Sequence, residues 1–201
     1  MIKSKSSSGA SKMCRNHGSF EPSQTLTEQQ MRELLEAAGT VSPDLEEVVE
    51  LGYLTGLRMS EIINLKYEDI DFAGRVLIIP SDKCQSHPSR VIPVGERAMQ
   101  LLRSLSTDQR KPVPLTGQFL TRQFEKASRL AGVNATFHSL RRSTYQWLME
   151  DGGLSASQID RIVGHRLAAS SDGSTAISDD NYGNDKIRAA QEKVAARIKY
   201  R

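Results

Sequence analysis

The segment Thr136-Phe-His-Ser-Leu-Arg-Arg-Ser-Thr-Tyr-Gln-Trp147 is the best starting point for interpreting this chain. His138 and Arg141 are three residues apart, which on a helix places both side chains on one face. Leu140 and Trp147 recur at a spacing that turns them toward a core. The segment predicts a rigid helix that presents an imidazole and a guanidinium fork suited to phosphate or carboxylate. Such a pair alone is most often a solvated helix face, so the flanking sequence has to decide.

Helical signals extend outward in both directions. Capping boxes are present at Thr27 to Gln30 and at Ser155 to Gln158. Ser42-Pro43 is a further start signal, and glycines at 56 and 164 end two of the predicted helices. Together with apolar periodicity, these signals predict helices that begin near residues 27, 43, 59, 96, 116, 136, 155 and 185.

Two β-rich runs interrupt the helical pattern, Arg75–Ile79 and Arg90–Val94. The polar segment 80–89 joins them and carries Lys83, so we predict an antiparallel hairpin with a long tip. The fold class is therefore mainly α with a small antiparallel β-sheet (α+β).

Apolar stripes indicate which helix faces are buried. In the helix after Thr116, we expect five residues to face the core: Phe119, Leu120, Phe124, Ala127 and Leu130. The last helix, predicted at about 185–199, carries a stripe of Ile187, Ala190, Val194 and Ile198. Because such a stripe needs an apolar cover, it either docks on a neighbouring copy or packs within its own chain.

Composition narrows the class of protein. The chain has 201 residues with 38% hydrophobic and 25% charged residues, enough for one good core. Residues 1–24 are rich in Ser and Lys and predict a disordered lead-in, so one domain is expected over 25–201. No apolar run approaches a membrane span, and no secretory signal is recognisable. Two cysteines predict no disulfide framework and favour the cytoplasm.

Charge is distributed unevenly along the chain. Residues 21–50 contain one basic and eight acidic side chains, whereas residues 54–147 contain fourteen basic and eight acidic ones. A basic middle behind an acidic segment suits a polyanionic partner held on one face, although solvated surfaces explain the same counts.

Five elements of the sequence, in this order, resemble the tyrosine recombinases of the phage integrase family. Leu54-Thr-Gly-Leu-Arg-Met-Ser-Glu-Ile-Ile-Asn-Leu65 is similar to their first arginine box. Lys83 lies on the predicted hairpin, where the family carries its lysine. His138-Ser-Leu-Arg141 resembles the second box, Gly164-His165 the third, and Tyr182 is the matching tyrosine. The resemblance covers about residues 25 to 190 and implies the integrase catalytic-domain fold.

The two arginines also predict their chemistry without the resemblance. Substitution at a phosphodiester builds negative charge on its non-bridging oxygens, and Arg58 and Arg141 can clamp those oxygens from two sides. An ion pair with Glu61, one helical turn on, is the alternative for Arg58. By resemblance, Glu61 occupies the acidic position of the first box and supports Arg58.

The remaining roles follow from the resemblance. Tyr182 is the nucleophile, with a packed ring as the alternative. Lys83 donates a proton to the leaving 5′ oxygen, or is a solvated lysine at a hairpin tip. His138 assists proton transfer or orients the phosphate. His165 hydrogen-bonds a non-bridging oxygen, or caps a helix C-terminus.

The resemblance implies a site-specific DNA recombinase or integrase, most naturally of a phage or mobile element. Such an enzyme would break and rejoin double-stranded DNA through a 3′-phosphotyrosine and would self-associate on DNA. Neither a metal nor a nucleotide cofactor is expected. A type IB topoisomerase-like relaxing enzyme and a non-cutting DNA-binding regulator are the rival functions. The full set of six residues favours a cutting enzyme over the regulator.

Two features depart from the family pattern. His165 and Tyr182 are seventeen residues apart, a wide gap that suggests an insertion at 166–178. The family normally carries an N-terminal DNA-clamping domain, and only the lead-in precedes the first predicted helix. We therefore expect a catalytic fragment or a shortened relative.

Overall fold

The computed structural model describes residues 25–80, 89–105, 111–113, 115–164 and 181–198, with backbone only for residues 181 and 182. The predicted lead-in 1–24 lies outside this part. The described elements are α1 (Glu28–Val41), α2 (Pro43–Thr55), α3 (Met59–Asn64), a 3-10 turn (Tyr67–Asp69), β1 (Ile70–Asp71), β2 (Val76–Ile79), β3 (Arg90–Pro93), α4 (Glu96–Ser104), α5 (Gly117–Leu130), α6 (Phe137–Glu150), α7 (Ala156–Val163) and α8 (Asn181–Arg197). This confirms a helix-rich fold with one small antiparallel sheet.

The predicted helix boundaries follow their capping signals. The Thr27 hydroxyl accepts a hydrogen bond from the Gln30 backbone N–H at 3.2 Å, and Ser155 and Gln158 form a second capping box. Pro43 begins α2. Gly56 and Gly164 end α2 and α7 with φ values of 64° and 69°, in the left-handed region that favours glycine.

Helix α2 forms the centre of the core, because α1, α4, α6 and α8 all pack against it. Its Tyr53 is fully buried and donates a hydrogen bond to the Val194 carbonyl of α8 at 2.9 Å. The Tyr53 ring meets the Trp147 ring edge-on, with centroids 5.1 Å apart. Leu140, Trp147 and Leu148 are buried, so α6 packs inward as its sequence predicts.

The sheet has three antiparallel strands in the order β1-β2-β3. Strands β2 and β3 are the predicted hairpin, with Ile79 opposite Arg90. The predictions did not include β1, which pairs Ile70 with Leu77. A two-residue strand has no detectable periodicity, so this pairing depends on the position of β2.

Helix α8 begins at Asn181, four residues before the predicted start, and therefore carries Tyr182 in its first turn. Contacts with other elements of the fold hold this helix. The Gln191 side chain accepts from the Gly95 N–H at 2.6 Å and donates to the Pro93 carbonyl at 3.1 Å. The Arg188 guanidinium donates to the Gly74 carbonyl at 2.6 Å.

The apolar stripe of α8 is buried within its own chain, at Ile187, Ala190, Val194 and Ile198. Helix α8 contacts α2, α4, α6 and β3, and the Arg197 guanidinium lies 5.1 Å from the Trp147 ring centroid. Of the two expectations for this stripe, the structure supports packing in cis. Docking on a neighbouring copy through these four residues is not supported.

The prediction for α5 is wrong at two positions. Leu120, Phe124 and Ala127 are buried, whereas Phe119 and Leu130 are 48% and 59% exposed. At 3.6 residues per turn, both exposed residues lie about 90° around the helix from the buried stripe. The buried residues that the structure describes on α5 therefore form a narrow face. Within the described part of the chain, no helix combines the length and apolarity needed to cross a membrane.

The contacts of Gln191 predict a stability effect. Gln191→Ala leaves the Gly95 N–H and the Pro93 carbonyl without their amide partner, and we expect a loss of about 2 kcal/mol in unfolding free energy. Urea denaturation measures this. Gln100→Ala, at an exposed position on α4, is the matched control and should be near neutral. Equal stability of the two variants would contradict the account of how α8 is held.

Candidate active site

Three arginines converge on the C-terminal end of α7. Each comes from a different element and donates a hydrogen bond to a different carbonyl in a run of three consecutive residues. The pairs are Arg90 Nε to Ile162 O at 3.0 Å, Arg141 Nη2 to Val163 O, and Arg58 Nη2 to Gly164 O at 3.1 Å. The last carbonyls of a helix have no intrahelical partner and carry partial negative charge. The end of α7 therefore gathers cations from distant parts of the chain.

Gly164 is required at this point for two physical reasons. Its φ of 69° is costly for any residue with a side chain. In addition, a Cβ added to Gly164 would lie 2.8 Å from Cζ of Arg90, so the guanidinium occupies the space that a side chain would need. The predicted helix stop is thus also a packing site for Arg90.

Arg141, on α6, links the ends of two helices. Its Nη1 donates to the Gly56 carbonyl after α2 at 2.6 Å, while its Nη2 donates to the Val163 carbonyl of α7. The residue is only 5% exposed. Burial, with the nearby Arg58 charge, lowers the pKa of Arg141 to about 10, so the side chain stays charged at neutral pH. Its contacts with described residues use two of five N–H donors.

Glu61 lies between two of the arginines. Its carboxylate accepts from the Arg58 backbone N–H and from Arg58 Nη1, both at 2.8 Å. The other guanidinium, Arg90, binds it two-pronged, with both Nη atoms at 2.9 Å. Burial acts to raise the pKa of Glu61, but the hydrogen bonds and charges of Arg90 and Arg58 outweigh it and lower that pKa.

The cluster carries an excess of positive charge. Three guanidiniums lie near two carboxylates: Glu61, which binds Arg58 and Arg90, and Asp160, whose charge acts on Arg141. Lost solvation and the charges of Arg58 and Arg90 outweigh both carboxylates and lower the pKa of Arg141. An anion that reached the cluster would offset this repulsion, because cations brought together in a partly dry site favour a negative ligand. The arrangement is therefore suited to binding an anionic group such as phosphate.

The predicted site residues are placed as follows. Arg58, Glu61 and Arg141 meet at the end of α7. His138 is exposed in the first turn of α6, one turn before Arg141. The backbone of Tyr182 lies in the first turn of α8.

Two of the predicted site residues, Lys83 and His165, lie outside the described residues. Among the residues that the structure describes, no group of three or more His, Cys, Asp or Glu side chains is arranged to hold a metal ion.

Arg90 is predicted from the sequence only as a strand residue, whereas the structure places it in the cluster. Two signals were available: a charged residue opens an apolar strand, and it alternates with Ile92, which is fully buried. A charge on the inner face of a sheet needs a buried partner. The sequence alone did not reveal that this partner is Glu61.

The buried pairing of Glu61 predicts a pH-dependent stability. Its folded-state pKa is below the ordinary 4.5, so its stabilisation is fully present above pH 4.5 and is lost as pH falls through the folded-state value. Glu61→Gln should therefore lower the free energy of unfolding by about 2–4 kcal/mol at pH 7. This difference from the wild type should shrink below pH 4.5.

Urea denaturation across this pH range measures the effect. Glu125→Gln, at an exposed position on α5, is the control and should show almost no deficit at any pH. A Glu61→Gln deficit that is the same from neutral to acidic pH would rule out the charged pairing as its source.

Comparison with known proteins identifies the family of this chain. The family model described as the phage integrase family matches residues 24–172, which ends before Tyr182. A protein from Caldanaerobacter subterraneus subsp. tengcongensis, classed as a tyrosine recombinase, is 33% identical over 135 residues, covering 60% of this chain and 44% of the relative. Tyrosine recombinase XerC of Corynebacterium glutamicum is 28% identical over 158 residues, covering 70% of this chain and 50% of the relative.

The chain thus spans about half the length of these curated relatives. Among solved structures, a dimer of a lambda integrase fragment bound to a COC′ core site is similar in fold, with a TM-score of 0.62. It is 20% identical, and the match covers 77% of this chain and 62% of that one. Because the family model matches well over half of the residues, this chain belongs to the phage integrase family.

Proposed function

We propose that this chain is the catalytic domain of a site-specific DNA recombinase, or integrase, that breaks and rejoins double-stranded DNA through a 3′-phosphotyrosine. The observation that carries the proposal is the convergence of Arg58 and Arg141 at the end of α7, in a cluster with excess positive charge. Family membership supports the same reaction. The lambda integrase fragment, a structural neighbour, is a dimer bound to a COC′ core site, and a second structure of that fragment is bound to DNA. Both support a DNA partner for this chain, and the first supports self-association.

Arg58 and Arg141 would stabilise the transition state. As a nucleophile adds to phosphorus, charge grows on the non-bridging oxygens, and fixed guanidinium donors oppose that charge without needing to reorganise. Arg58 has 28% of its side chain exposed and is the more accessible of the two. Its side-chain contacts with described residues use two of five N–H donors, as do those of Arg141. We assign the donors that these contacts leave over to phosphate.

Tyr182 would supply the nucleophile. Its phenolic oxygen gives up its proton, for which His138 is the candidate acceptor, and forms the bond to phosphorus, while the bond from phosphorus to the 5′ oxygen of the next nucleotide breaks. The leaving 5′ oxygen takes a proton, for which we assign Lys83, and departs as a hydroxyl. A 5′ hydroxyl from another strand then reverses the step and releases the tyrosine. The anchoring of α8 through Gln191 supports a defined position for the helix that carries Tyr182.

The two histidines complete the proposal. His138, one turn before Arg141, would assist proton transfer or orient the phosphate, and His165 would donate a hydrogen bond to a non-bridging oxygen. We propose no metal ion or nucleotide cofactor in the reaction. We further propose that the protein comes from a phage or mobile element, which the family description supports. We place it in the cytoplasm, because its proposed substrate is DNA.

Trapping of a covalent adduct tests this function. The probe is a pool of duplex DNAs with a randomised core and a nick in one strand, so that cleavage releases a short fragment that diffuses away. We expect the wild-type chain to form a protein–DNA adduct that survives denaturation, and mass spectrometry to place the linkage on Tyr182. Tyr182→Phe removes one oxygen and should abolish the adduct while leaving DNA binding intact.

Tyr200→Phe is the matched control, because Tyr200 is the other tyrosine that follows His165 in the sequence. We expect this variant to form the adduct as the wild type does. An adduct that survives Tyr182→Phe and is lost in Tyr200→Phe would refute the nucleophile assignment, and no adduct from the wild type on any duplex of the pool would refute the function.

The arginine clamp predicts a second outcome on the duplex that this pool enriches. Arg141→Lys and Arg58→Lys keep a positive charge but lose the planar fork, so we expect near-normal DNA affinity and single-turnover cleavage slower by about 100-fold. Arg97→Lys is the control, since Arg97 makes a two-pronged contact with Glu50 away from the cluster. Wild-type cleavage by either clamp variant would assign that arginine a structural role.

A further inference from the structure

We propose that Arg90 is a positioning residue for this reaction: it holds Glu61 and the end of α7 in place and thereby aims Arg58 at the phosphate. This inference rests on the proposed function, because a positioning role needs a reaction to serve. It extends that function, since Arg90 belongs to none of the sequence boxes that the resemblance is built on.

The contacts of Arg90 leave it unsuited to bind phosphate directly. Both of its Nη atoms face the Glu61 carboxylate at 2.9 Å, and its Nε donates to the Ile162 carbonyl at 3.0 Å. A carboxylate already occupies the two-pronged edge of the guanidinium, and 9% of the side chain is exposed. Arg90 must therefore act through the groups that it holds.

Glu61 passes this constraint on to Arg58. One carboxylate binds both guanidiniums, and it also accepts from the Arg58 backbone N–H, which fixes the N-cap of α3. With Arg90 in place, both oxygens of Glu61 have fixed directions, so Arg58 Nη1 is held at a defined point. Without Arg90, the carboxylate keeps contacts with Arg58 alone and is free to rotate with it.

The end of α7 supplies the second anchor. Arg90 fills the space beside Gly164, where a Cβ would lie 2.9 Å from its Nε, and it binds the carbonyl of Ile162. The same turn of backbone receives Arg141 at Val163 and Arg58 at Gly164. Loss of Arg90 therefore leaves one helix-end carbonyl without its partner and loosens the backbone that both clamp arginines use.

A double-mutant cycle separates positioning from simple stabilisation. The variants are Arg90→Met, Glu61→Gln and the double variant, assayed for single-turnover adduct formation at saturating enriched duplex, well below the unfolding temperature. We expect Arg90→Met to slow adduct formation at least about 10-fold, while DNA affinity changes by less than about 3-fold. In the Glu61→Gln background the same change should slow the reaction by a smaller factor than it does in the wild type, because the part of the effect that passes through Glu61 is already lost.

Arg97→Met is the matched control, because it also removes a guanidinium that binds a glutamate two-pronged, at Glu50. Its rate of adduct formation should equal that of the wild type. Should Arg90→Met fail to fold, Arg90→Lys replaces it, with the same pattern at smaller size. A rate for the Arg90 variant within about 3-fold of the wild type, or full additivity in the cycle, overturns the proposal.

Hydrogen exchange of the DNA-free protein tests, without any reaction, whether Arg90 holds the end of α7 in place. The Gly164 N–H donates to the Asp160 carbonyl at 2.7 Å at the end of α7. In Arg90→Met its exchange should accelerate at least about 10-fold, with no change in Arg97→Met. Unchanged exchange in the Arg90 variant would show that Arg90 does not hold the end of α7, and would overturn the proposal. If Arg90→Met accelerates the exchange but the wild-type protein forms no adduct, the proposed function is refuted, while the role of Arg90 in holding the end of α7 is retained.

Discussion

The carbonyls at the end of α7 are the constraint on which the rest of this structure depends. A helix cannot satisfy its own last carbonyls, and here three arginines from α6, from the N-cap of α3 and from β3 satisfy them. Burying guanidiniums is costly unless they are well paired. The helix-end carbonyls and the Glu61 carboxylate offset that cost. Elements far apart in sequence are joined at one point.

The same arrangement connects stability to the proposed chemistry. A phosphate in transfer needs donors that are already aimed when charge develops. Arg141 is held by the ends of α2 and α7, and Arg58 by Glu61 and α7, so both are fixed before DNA arrives. Helix α8, which carries Tyr182, is anchored by Gln191 to Pro93 of β3 and to Gly95. The fold therefore places the predicted clamp and the backbone of the predicted nucleophile on connected elements.

Much of the fold was predictable because its signals are local. Capping boxes at Thr27 and Ser155 and the glycine at 56 marked helix ends correctly, since hydrogen bonds within a few residues decide them. The missed features depend on tertiary contacts. Phe119 is exposed because none of the described elements covers its side of α5, and helix α8 begins at Asn181 because distant contacts hold it.

The candidate site divides in the same way. Arg58, Glu61 and Arg141 stand in recognisable sequence boxes, and the structure brings them together. Arg90 stands in no box, and its role depends on the β2–β3 register and on a partner 29 residues away in the chain. The roles of Lys83, His165 and Tyr182 remain predictions from the resemblance.

A crystal structure of the Tyr182→Phe variant bound to the enriched duplex would test the central claim most directly, because it shows where the scissile phosphate lies. The account predicts non-bridging oxygens about 3 Å from donors of both Arg58 and Arg141. It also predicts that Arg90 remains on Glu61 and touches no phosphate. The account would be contradicted by a phosphate that contacts neither Arg58 nor Arg141 while both arginines keep the contacts that they make in the free protein.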